Sequence, residues 1–82
     1  MARYEVQVSD SRQDMGDDDN FIHHRFVAVV DRDSGKIVWS KDFVEHYNAN
    51  DQSSVGERPD KAVLQNGELV LTFGGRVERI KI

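Results

Sequence analysis

The sequence contains no cysteine, a single proline, a single tryptophan and no long apolar run. The missing cysteines exclude a disulfide scaffold and any thiolate zinc site. No segment approaches the run of about 20 apolar residues that spans a bilayer as a helix. Arg3, Glu5 and Gln7 interrupt the early apolar positions, so no signal-peptide core follows Met1. With Met1 read as the native start, a cytoplasmic protein away from membranes is expected. Positive charge is also scarce: 11 Lys and Arg stand against 15 Asp and Glu, giving −4 and a pI near 5.2. That balance disfavours general nucleic-acid binding.

The acidity has an address. Residues 9–20, SDSRQDMGDDDN, hold five aspartates against one arginine, which is the whole net charge of the chain. Their only large apolar side chain is Met15. Such a segment cannot bury enough surface to offset its ordering entropy unless something neutralises it, so 9–20 reads as a mobile acidic loop.

What is abundant is β-branched. Valine occurs 11 times and isoleucine four, against three leucines and four alanines, a balance that favours strands. The 82 residues form one β-rich domain, 1–82. Tyr4, Val6 and Val8 alternate with polar residues as a short first strand. A longer strand runs from about Ile22 to Val30. Its even face carries Ile22, His24, Phe26, Ala28 and Val30, and its odd face His23, Arg25, Val27 and Val29. Asp31–Gly35 is a turn, and Lys36–Ser40 returns as a strand. Phe43 and Tyr47, four apart, predict a short helix within Phe43–Asn50. Asp51–Asp60 reads as a loop. Asn66-Gly67 joins Lys61–Gln65 to Glu68–Phe73 as a type I′ hairpin, with Leu69, Leu71 and Phe73 on the core face. Gly74-Gly75 leads into Arg76–Ile82, where Val77 is out of phase with Ile80 and Ile82 and predicts a bulge near Glu78 or Arg79. The expected fold is mainly β: a small antiparallel sandwich or partial barrel of about six strands with one short helix.

Ala28, Asp31, Gly35, Lys36, Ile37, Val38 and Trp39, within Phe26–Ser40, resemble the strand–turn–strand of quinoprotein-type (PQQ-like) β-propeller blades. Lys61–Ile82 resembles the preceding strands of such a blade. The two stretches cover under half of the chain. The resemblance implies antiparallel sheet. Because a propeller needs about four to eight four-stranded blades, it also implies assembly of several copies. It transfers no quinone-binding residue, and no cofactor is expected from it.

Four residue groups carry candidate chemistry. Asp14, Asp17, Asp18 and Asp19 supply the carboxylates that Ca²⁺ favours, although the EF-hand spacing is absent. Asp31-x-Asp33-x-Gly35 is a fragment of a calcium loop, which a polar hairpin turn also explains. His23 and His24 are adjacent on a strand, point to opposite faces and cannot chelate one ion together. With His46 they define a small His-dependent hydrolase as one alternative, without an activated nucleophile motif. Trp39 and Phe43 read as core, and Tyr47 as the exposed aromatic of a contact surface. The basic strand Arg76–Ile82 reads as a protected sheet edge. These residues favour a non-catalytic binding or self-assembling module. Asp17, Asp18, Asp19 and Tyr47 would then meet a protein partner or a second copy, and a Ca²⁺-stabilised domain is the other alternative.

Overall fold

The structure is a computed structural model describing residues 3–17, 20–48 and 53–82. Among these residues the chain is all β, with seven strands and no helix: β1 (Tyr4–Asp17), β2 (Asn20–Asp31), β3 (Ile37–Asn48), β4 (Ser53–Gly56), β5 (Lys61–Gln65), β6 (Glu68–Phe73) and β7 (Arg76–Lys81). They form two antiparallel sheets, ordered β1-β2-β3-β4 and β5-β6-β7. Among the described residues no helix is long and apolar enough to cross a membrane.

The sheets share one core. Val27, Val29 and Phe43 of the larger sheet pack with Leu69, Leu71 and Phe73 of the smaller, and Trp39, Tyr4 and Val6 flank them. The odd face of β2 is therefore the inner one, and the even face looks outward. The 57–60 connection ties the layers. Arg25 Nη1 donates to the Pro59 carbonyl at 2.5 Å, Asp60 N–H donates to the Thr72 carbonyl at 2.6 Å, and Pro59 is buried.

Several expectations need correction. Residues 9–17 are not a loop, because β1 continues to Asp17 with Ser9 opposite Phe26 and Asp14 opposite Phe21, and β2 begins at Asn20. One neutralising charge, Arg25, comes from across the ladder, while Arg12 pairs with Asp14 within the segment. Arg25 donates to both Asp10 oxygens, at 2.6 and 3.2 Å, and the Arg12 guanidinium lies 4.2 Å from the Phe21 ring centre. Asp18 and Asp19 lie outside the described residues.

The short helix is absent as well. Phe43–Asn48 continues β3, and a spacing of four places Phe43 and Tyr47 on one face of a strand as readily as on one face of a helix. Ala49 and Asn50 lie outside the described residues. Within the segment expected as a loop, Ser53–Gly56 pairs with Glu45–Asn48 and raises the strand count from six to seven. No bulge interrupts β7, whose register against β6 is continuous. Val77 instead faces outward opposite Thr72. The register shifts lie on β1, between Asp14 and Asp17, and on β3, where Trp39 opposes Val29 and Ile37 opposes Val30, leaving Val38 as the extra residue.

Two turns rest on backbone conformation. Asn66 and Gly67 have φ of 54° and 77°, as a type I′ turn requires. Gly56 has φ of 92°, and a Cβ there would stand 2.3 Å from the Val44 carbonyl oxygen. Gly56→Ala is therefore expected to cost about 1–3 kcal/mol and to release β4 from β3. Urea denaturation and amide exchange at Glu45–Asn48 check this; unchanged protection there contradicts the pairing.

Candidate functional site

The two sheets differ in length. At about 3.4 Å per residue, β2 spans roughly 40 Å and β6 roughly 20 Å. The far half of the larger sheet therefore extends past its cover. The Cα radius of gyration, 14.9 Å, reflects this, since a compact chain of this length has about 12 Å.

Beyond the core, the inner face of this extension is built in register. Asp10, Arg12 and Asp14 of β1 stand opposite Arg25, His23 and Phe21 of β2, which stand opposite Phe43, Glu45 and Tyr47 of β3. The three aromatic rings at its end touch. Phe21 meets His23 edge-on at 4.8 Å and Tyr47 at 5.0 Å between centres. Arg12 covers Phe21 and donates from Nε to Asp14 at 3.3 Å. Arg58 donates to Glu45 at 3.2 Å. The hydrogen bond from Arg25 holds the Asp10 carboxyl below the usual carboxylate range. The result is an aromatic cluster set among three arginine–carboxylate pairs, with one of those arginines lodged on a ring.

The candidate residues distribute as follows. Tyr47 belongs to the cluster, but half-buried against Phe21 rather than freely exposed. Asp17 ends β1 opposite Asn20, at the same end of the sheet. Asp14 is bonded to Arg12, and no group of three or more metal-ligating side chains occurs among the described residues. Asp31 and Asp33 sit at the β2–β3 turn, where the Asp31 carboxylate takes the Arg3 guanidinium.

His23 and His24 do face opposite sides. His24 lies on the outer face, with Nδ1 3.0 Å from Asp42 and Nε2 3.4 Å from Gln13, in a groove lined also by Ser9, Ser11 and Phe26. A carboxylate-oriented imidazole is one element of acid–base chemistry. Activating a serine further requires its hydroxyl on Nε2, and the partner of that nitrogen here is Gln13. His46 stands two strand positions from Val44, opposite Ile22. Sequence reasoning had not assembled Phe21, His23 and Arg12 into a site.

By class this is an all-β protein of two antiparallel sheets with an extension of aromatic rings and ion pairs on the larger one. No protein-family model matches the chain, and no curated protein or solved structure matches it either. The propeller-blade resemblance therefore rests on Phe26–Ser40 and Lys61–Ile82 alone.

Proposed function

We propose that the chain is a non-catalytic interaction module that binds a basic segment of a partner protein on the extended end of its larger sheet. The supporting observation is the Phe21–Tyr47 cluster with Arg12 seated on it. A ring face that holds an internal guanidinium suits a partner's arginine or lysine, which would take the place of Arg12 on the ring and beside Asp14. Cation–π contact contributes about 0.5–2 kcal/mol in such a place. Asp17, Asp18 and Asp19, in the same acidic stretch of sequence, would raise the encounter rate and fix the sign of the partner.

The test is fluorescence anisotropy with a labelled Arg/Lys-rich peptide at low salt. Tyr47→Ala and the triple change Asp17→Asn, Asp18→Asn, Asp19→Asn should each weaken binding about tenfold, the equivalent of 1.4 kcal/mol. Arg12→Ala should have the opposite effect, because it frees the ring and removes a competing charge. Equal affinity of all four proteins would reject the reading.

A further inference from the structure

A sheet exposed on one side normally presents polar side chains there. Both sheets of this chain also carry apolar side chains among the polar ones on their outer faces. On the larger sheet the outer face of β2 carries Ile22, Phe26, Ala28 and Val30. Phe26 is 38% exposed, and Ile37 and Val44 on neighbouring β3 are 56% and 40% exposed. The acidic side chains on that face are Glu5, opposite Val30, and Asp42, opposite Phe26. His24 on Asp42 and His46 are the remaining titratable groups there.

On the smaller sheet the outer face carries Val63, Val70 and Val77, with Val63 and Val77 47% and 53% exposed. Its charged side chains are Lys61, Arg79 and Lys81 against Glu68. None of the three cations has an ion-pair partner among the described residues. One outer face thus mixes apolar side chains on β2 and β3 with two acids and a polar β1 row, and the other mixes three valines with an excess of two cations.

We infer that these two outer faces dock on one another in successive copies of the chain, stacking β5–β7 of one molecule on β1–β3 of the next. Charge decides between this and a two-fold dimer. Pairing either face with itself sets like charges together, whereas pairing the unlike faces joins opposite ones. The contact is heterologous, so it leaves a free face at each end and continues beyond a dimer. It is also weak. Three strands at about 4.8 Å and six residues at about 3.4 Å present roughly 14 by 20 Å, well short of the ~800 Å² per partner of stable complexes. The surfaces do not include the aromatic cluster, so this self-association is independent of peptide binding there.

Sedimentation velocity on the full chain, from about 10 µM to about 1 mM protein, tests it at low and high salt. The average mass should climb past the dimer with concentration, and association should weaken at high salt. Arg79→Glu with Lys81→Glu should weaken association at least tenfold, and so should Glu5→Lys with Asp42→Lys, because each double change turns attraction into repulsion at two positions, while each keeps the β circular-dichroism signature (tenfold is about 1.4 kcal/mol). Mixing the two reversed proteins should restore association, because each then offers faces complementary to the other. Tyr47→Ala should stack like the wild type. A monomer at every concentration, a closed dimer, or association indifferent to both reversals overturns the inference. Peptide binding by such a protein would leave the interaction-module reading standing by itself.

Discussion

Leu71→Ala should lower unfolding stability by about 2–5 kcal/mol, the range for emptying a buried leucine site. Leu71 is fully buried on the central strand of the smaller sheet and belongs to the cluster that joins both sheets. Stability of about 0.05–0.15 kcal/mol per residue gives this chain roughly 4–12 kcal/mol. The short list of buried hydrophobic residues, eight among those described, puts it toward the lower end. One truncation would then remove a large share of the total. Val63→Ala is the control: it lies on β5 of the same sheet, but on the outer face and 47% exposed. Its cost should stay below about 1 kcal/mol. Urea denaturation of both variants measures the difference. Equal losses would mean that the core does not lie between the sheets.

The same contrast explains which parts of the fold were legible. Leu69, Leu71 and Phe73 announced the inner face of β6 because their alternation is flanked by two short turns, and Asn66-Gly67 specifies a hairpin locally. The acidic segment was misread because two of its partners are remote in sequence. Asp10 is satisfied by Arg25, and the Arg12 that pairs with Asp14 rests on Phe21, both Arg25 and Phe21 lying across the β1–β2 ladder. A composition argument confined to 9–20 counts the charges and misses those partners. Phe43 and Tyr47 failed differently, since a spacing of four satisfies both periodicities and only the pairing of Phe43–Asn48 with β2, and of Glu45–Asn48 with β4, resolves it.

For the candidate site, Tyr47 was visible as an aromatic outside the core pattern. Phe21, His23 and Arg12 were not, because their proximity depends on register. One signal existed. The numbers of each β1–β2 pair from Tyr4–Asp31 to Asp14–Phe21 sum to 35. This single hairpin register places acid against Arg25, Val8 against Val27 and Val6 against Val29 together. Such agreement about one hairpin centre extends the first strand to Asp14 and brings Arg12 to the aromatic cluster.

Acid should weaken the opposite end of the molecule, at the β2–β3 turn. Asp31 is 6% exposed, and its carboxylate accepts from Arg3 Nη2 at 2.9 Å and Nε at 3.2 Å, and from the Asp33 N–H at 2.9 Å. The Arg3 hydrogen bond first, and the Asp33 N–H second, hold the Asp31 carboxyl below the usual carboxylate range. A folded-state value below the unfolded one means that folding is favoured by the charged form. This contribution is fully present above the unfolded value, near 3.9, and fades as pH falls through that value to the folded one. Asp10, held low by Arg25, acts in the same direction. The urea midpoint should therefore be flat near neutrality and fall below about pH 4. Asp31→Asn should lower the midpoint at pH 7 and flatten that acid limb, because the amide cannot supply the charge that Arg3 meets. Asp10→Asn, on an exposed pair, should do so to a smaller extent. If Asp31→Asn retained the full acid dependence, the Arg3–Asp31 pair would not be what fastens the start of β1, whose preceding carbonyl, Arg3 O, also accepts the Arg32 N–H at 2.8 Å. With that pair broken at low pH, the first strand should loosen from its Arg3 end before the β5–β7 sheet melts, visible as early amide exchange at Tyr4–Val8.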